Sequence, residues 1–132
     1  MRPAAPEVLD LDVLEPVLWI CRLPPEAPMP GWSEAPGAFF SVTRTAEELS
    51  IVCPARALPA GIQAQGPFRA LKVMGPLPFE WVGILAALSS CLAKVGLSIF
   101  AISTFDTDYL LVKEEDLPAA KEALAGAGHR VH

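Results

Sequence analysis

The sequence is poor in positive charge, in histidine and in tyrosine. Ten Lys and Arg stand against 15 Asp and Glu, for a net charge of −5, and 132 residues include 2 His and 1 Tyr. A deficit of basic side chains gives no general attraction to phosphate backbones or anionic lipid, so neither nucleic acid nor a membrane surface is an expected partner. Both histidines, His129 and His132, sit at the C-terminal end, and no Ser or Cys has a recognisable base partner. A nucleophile needs a positioned base, so no catalytic residue is assigned and no enzyme activity is expected. Cysteine is scarce as well: Cys21, Cys53 and Cys91 are odd in number and lack C-x-x-C spacing. That excludes a disulfide or zinc framework and reads as free, mostly buried thiols in a reducing compartment. The N-terminal run, with Asp10 and Asp12 close behind it, lacks an apolar signal region, so a cytoplasmic protein is expected.

Hydrophobic residues, by contrast, make up 52% of the chain, enough to exclude intrinsic disorder. The length fits one domain or two very small ones. Proline is abundant and uneven: of 14, only Pro76, Pro78 and Pro118 follow Pro67. The stretch from Trp81 to Phe105 carries Lys94 as its single charge and is long enough for a membrane span of ~20 residues. Its periodicity changes partway, however. Trp81, Leu85, Leu88, Leu92 and Val95 follow helical spacing, Gly96 interrupts, and Ser98 to Ser103 is β-rich, which a bilayer does not accept.

The second half of the chain reads as an ordered series. Phe68 to Met74 is a strand, Gly75-Pro76-Leu77-Pro78 a rigid loop, and Phe79 to Val95 a helix closed by Gly96. Ser98–Phe105 and Asp108–Lys113 form two strands joined through Asp106-Thr107. Asp116 is placed to cap a last helix carrying Leu117, Ala120 and Leu124 on one face, and His129–His132 adds a short edge strand. The order β-α-β-β-α-β predicts an α/β (α+β sandwich) fold of ferredoxin-like type.

The first half can be laid over the second. Phe40 to Cys53 matches Phe100 to Lys113 sixty residues on, without a gap, and Leu58-Pro59-Ala60 falls against Leu117-Pro118-Ala119. Trp19 to Pro24 falls against Leu71 to Pro76. Between these blocks the first copy is eight residues shorter, where Pro25, Pro28 and Pro30 preclude a long helix. The expected organisation is two tandem units, 1–64 degenerate with a shortened first helix and 65–132 complete.

Gly75-Pro76-Leu77-Pro78 with the run from Ser98 to Lys113 resembles the ACT-type amino-acid-binding domains of lysine-sensitive aspartokinases, and the subgroup of cytosolic arginine sensors and small tandem-ACT proteins. The resemblance implies a non-catalytic regulatory protein that binds a free amino acid, a basic one being a candidate, at an interface between ACT units. A homodimer that covers exposed edge strands or the apolar Trp81 helix is expected, with a regulated partner protein as the output and no cofactor or metal. By position, the ligand-binding residues the resemblance implies are Gly75, Pro76, Leu77 and Pro78; Ser98 and Ile99; and Thr104, Phe105 and Asp108. The first copy departs from the pattern, with Glu48 in the slot of Asp108, Thr45 in that of Phe105, and Leu23-Pro24 for Gly75-Pro76. The other function class consistent with the sequence is an ACT-like association scaffold without a small-molecule ligand.

The residues on their own terms allow both readings. N–H groups freed in a Gly-containing loop before a helix can take a carboxylate, and Asp108 can pair with an ammonium. The same loop serves equally as a plain turn, and Asp106-Thr107-Asp108 as a plain hairpin. Two carboxylates without further Asp, Glu or His are too few ligands for a metal.

Overall fold

The computed structural model describes residues 6–33, 39–78 and 80–132, with the side chains of Ser33 and Ala57 left aside. Eight strands and two α-helices occur among them. The chain forms two compact units, one of Glu15–Phe68 and one joining the chain up to Leu14 with Arg69–His132. The N-terminal strand therefore stands with the C-terminal residues, and the second boundary falls at Phe68/Arg69, four residues beyond the expected 64/65.

In the Glu15–Phe68 unit, β2 (Leu18–Leu23), β3 (Ser41–Arg44), β4 (Leu49–Pro54) and the first half of β5 (Gln63–Val73) pair antiparallel in the order β3-β4-β2-β5. Alternation puts Cys21, Leu49, Ile51 and Cys53 on one face, where they form a buried cluster with Leu23, Trp32 and Ile62 packed against it. All three cysteines are free. Burial pushes the Cys53 thiol up to about 11 and raises Cys21 as well, which keeps both protonated and unreactive.

The connections of this unit carry only 3₁₀ turns among the described residues, Gly31–Ser33 after β2 and Ala55–Ala57 after β4. Proline explains the first, since Pro24, Pro25, Pro28 and Pro30 each remove an N–H donor. The second loss was not expected from the sequence. Leu58-Pro59-Ala60 resembles a helix start, but Gly61 follows at φ 89°, a left-handed conformation that stops a helix at once.

The other unit holds β1 (Asp10–Val13), the second half of β5, α1 (Ile84–Ala93), β6 (Phe100–Ser103), β7 (Asp108–Lys113), α2 (Leu117–Gly126) and β8 (Arg130–Val131). Its strand order is β6-β7-β5-β1-β8. β1 is antiparallel to β5 (Leu11↔Val73) and parallel to β8 (Asp10↔Arg130), so it separates two strands that the simple β-α-β-β-α-β pattern makes neighbours. Both helices cover one face of this sheet. Ile84, Leu88 and Leu92 of α1 and Ala120 and Leu124 of α2 recur every four residues and bury against Leu9, Leu11, Leu71, Val73, Leu110 and Val112. The Cys91 thiol donates to Ala123 O at 3.2 Å. His129 is buried and accepts the Leu9 N–H through Nδ1 at 3.1 Å, which accounts for one of the two histidines as a structural residue.

Several element limits differ from expectation. α1 starts at Ile84 rather than Phe79, because Gly83 adopts φ 89° and ends the approach to the helix; Phe79 itself lies outside the described residues. β6 starts at Phe100 instead of Ser98 and stops at Ser103. Asp116 occupies the cap position of α2 but makes no side-chain cap bond, since Glu114–Asp116 is already a 3₁₀ turn feeding the helix. Among the described residues no helix is long and apolar enough to cross a membrane; α1 has 10 residues.

Candidate functional site

The site is built from a loop, a hairpin and a helix start, all in the unit that contains Arg69–His132. The loop leaves β5 at Met74 and is pinned to the β6–β7 hairpin. Leu77 N–H donates to Asp106 O at 2.7 Å, and the Thr107 hydroxyl donates to Val73 O. Gly75 allows this approach: a Cβ there would lie 3.0 Å from Asp106 O and from Leu77 N, with Thr107 Cβ at 3.3 Å. The Gly75–Pro76 peptide is cis.

The hairpin pairs Ser103 with Asp108 and turns through Thr104-Phe105-Asp106-Thr107. Thr104 N–H donates to Thr107 O at 2.8 Å, and Thr104 Oγ1 accepts Thr107 N–H at 3.3 Å, an ST-type turn that needs no glycine. The tip is thus Phe105-Asp106, one residue earlier than expected. Phe105 is 94% exposed, so it is not part of the core. Behind the tip, the Ser103 hydroxyl donates to Asp108 Oδ1 at 2.6 Å.

Between these parts lies a cleft of about 400 Å³. Its walls are Leu77, Pro78 and Trp81 from the loop, Gly83 to Ala86 at the start of α1, and Ser103 to Asp108 from the hairpin. The first backbone bond into α1 is Ala87 N–H to Gly83 O, so the N–H groups of Ile84, Leu85 and Ala86 have no partner one turn back in the helix. That end of the helix carries partial positive charge. Among the described residues, the charged ones in the wall are Asp106 and Asp108, and no Lys, Arg or His joins them. Such a cleft offers amide donors for an anionic group, carboxylates for a cationic one, and apolar surface from Leu77, Trp81 and Leu85.

Of the residues singled out in the sequence, Leu77, Pro78, Thr104, Phe105 and Asp108 meet on this cleft. Gly75 and Pro76 stand behind it and do not line it, Ser98 is exposed elsewhere, and Ile99 packs partly buried against the core. Sequence reasoning missed Trp81, Gly83 to Ala86, Ser103, Asp106 and Thr107 as wall residues. The late start of α1 hid the first two groups, and the hairpin residues lie outside the positions that the resemblance carries over. No group of three or more His, Cys, Asp or Glu suited to a metal occurs among the described residues.

The Glu15–Phe68 unit has a matching hairpin with different chemistry. Arg44 pairs with Leu49, Thr45 N–H donates to Glu48 O at 2.9 Å, and Thr45 Oγ1 accepts Glu48 N–H at 3.3 Å. Thr45-x-x-Glu48 therefore reproduces Thr104-x-x-Thr107, and the two hairpins correspond at a spacing of fifty-nine residues instead of sixty. The slot of Asp108 is consequently taken by Leu49, which is fully buried, and that of Phe105 by Ala46, which corrects the assignments of Glu48 and Thr45.

Comparison with known proteins agrees with this architecture. A family model described as the ACT domain matches residues 63–126, and a second, for an N-terminal domain, matches residues 19–61. The solved protein Atu0741 of Agobacterium tumefaciens is 38% identical at a TM-score of 0.88, over 97% of this chain and 94% of that one. The aspartokinase alpha and beta subunit structure shares the fold at 16% identity and a TM-score of 0.65, over 91% of this chain and 97% of that one. So does the regulatory subunit of aspartate kinase from Thermus thermophilus, at 14% identity and a TM-score of 0.56, over 97% and 99%. The loop, hairpin and helix start that frame the cleft all fall within the matched segment 63–126, and the chain belongs to the ACT-domain family.

Proposed function

We propose that this protein is a non-catalytic regulatory protein that binds a free amino acid in the cleft between the Leu77 loop, the start of α1 and the β6–β7 hairpin. The observation that carries the reading is the presence, in one cleft of about 400 Å³, of the carboxylate of Asp108 and the amide-rich first turn of α1. An α-carboxylate suits the helix start, an ammonium suits Asp108, and the side chain rests on Leu77, Trp81 and Leu85. A basic side chain is compatible with the second carboxylate, Asp106. Regulatory function fits the resemblance to an aspartate kinase regulatory subunit.

The reading extends to a homodimer in which another ACT unit completes the site, and to a partner protein that receives the signal. An exposed Phe105 ring supports it, since covering such a ring is worth about 1.5–3 kcal/mol. The free thiols suit a cytosolic setting.

Thermal unfolding with each of the twenty protein amino acids at millimolar concentration tests the proposal. At least one is expected to raise the melting temperature, by the equivalent of about 2.7 kcal/mol at 100 times Kd. Asp108→Ala is expected to diminish that rise. A wild-type protein stabilised by none of them leaves the association scaffold as the function.

A further inference from the structure

We propose that Ser103 is a positioning residue of the cleft, holding the Asp108 carboxylate in one orientation before any amino acid arrives. The inference rests on the amino-acid-binding reading of the cleft and concerns a residue that reading does not use.

Ser103 ends β6 and Asp108 opens β7, and the two are direct partners in the hairpin register. Their backbones are fixed beside the turn by the Thr104 N–H bond to Thr107 O at 2.8 Å. Across this rigid rung the Ser103 hydroxyl donates to Asp108 Oδ1 at 2.6 Å, a short charge-assisted bond. A carboxylate has acceptor capacity on both oxygens, so engaging Oδ1 leaves Oδ2 able to accept from an incoming cation. Ser103 and Asp108 both line the cleft.

The hydroxyl has little other purpose in the fold. Ser103 is exposed and stands on the edge strand of its sheet, outside the buried cluster. What the bond removes is the rotamer freedom of a partly exposed aspartate, which otherwise has to be frozen on binding. Serine at this position therefore serves affinity and not stability.

Two measurements test this. The first needs no ligand: the Hα–Hβ three-bond couplings of Asp108, read by NMR, are expected to report one rotamer in the wild type and an average of several in Ser103→Ala. The second is calorimetric titration with the twenty protein amino acids in turn. For any that the wild type binds, Ser103→Ala is expected to weaken binding by about tenfold, as for loss of a hydrogen bond to a charged group. Ser103→Thr, which keeps the hydroxyl, restores affinity to within about threefold. In an Asp108→Ala background, Ser103→Ala costs nothing further, because it acts through the missing carboxylate.

Averaged Asp108 couplings already present in the wild type overturn the proposal. So does a Ser103→Ala protein that binds as the wild type does, or an equal loss in the Asp108→Ala background. Rotamer fixation by Ser103 without binding of any of the twenty amino acids sinks the amino-acid reading and upholds the positioning role. Binding that ignores Ser103 does the reverse.

Discussion

Two residues set conditions that the rest of the molecule has to meet. Gly75 sits where loop and hairpin backbones touch, with Asp106 O and Leu77 N each 3.0 Å from where a side chain would begin. Both obstacles are backbone, so neither can swing aside. Gly75→Ala is expected to cost about 1–3 kcal/mol in chemical denaturation. It is also expected to speed hydrogen exchange at the Leu77 amide, which loses its bond to Asp106 O as the loop lifts. Asp10 makes a different demand. Bonds from Arg130, first, and His132 hold its carboxyl at about 2, below the usual 3.8. A depressed carboxylate contributes stability above its unfolded value and loses that contribution as pH falls through the folded one. The stability difference between wild type and Asp10→Asn is therefore expected to fall away between about pH 4 and 2 in acid titration. Because the group is solvent-exposed, added salt shrinks the difference.

At the scale of elements, what could be read from the sequence followed the strength of the local signal. β7 matches its expected limits at Asp108 and Lys113, because a polar turn and a charged residue bracket Tyr109 to Val112. α2 begins one residue after Asp116 as expected, since Pro118 is tolerated only in a first turn. α1 was read too long because Trp81 and Leu85 hold helical spacing across Gly83, and spacing alone does not reveal a left-handed backbone at a glycine. β1 was missed although Leu9, Leu11 and Val13 alternate with Asp10 and Asp12; four residues give a period of two little room to declare itself. On the hairpin side, Thr104, Phe105 and Asp108 follow from the resemblance carried by Ser98 to Lys113, and all three line the cleft. The helix side was not legible, since it depends on where a backbone turns and not on which side chains it carries.

For the molecule as a whole, the two units share one hairpin design with unequal chemistry. Thr45 keeps the turn of Thr104, whereas a buried Leu49 replaces Asp108, so the Glu15–Phe68 hairpin presents no carboxylate at that slot. The unit that does present it is discontinuous in sequence, with β1 between β5 and β8. A chain of residues 65–132 lacks that strand, leaving β5 and β8 without their shared neighbour and Leu71 and Val73 without Leu11. We expect this fragment to show no cooperative thermal transition by circular dichroism. A melt as sharp and as high as that of the intact chain would count against an essential β1.

The position of β1 also bears on how the protein is made. The strand is synthesised well before its partner in β8: Asp10 and Arg130 are 120 residues apart. Until then Leu9 and Leu11 have no partner on one side. Contacts of such separation slow folding, so the sheet behind the cleft can only be completed once β8 has been synthesised. During synthesis, the protein passes through a stage in which the Glu15–Phe68 unit is already whole and the unit with the cleft is not.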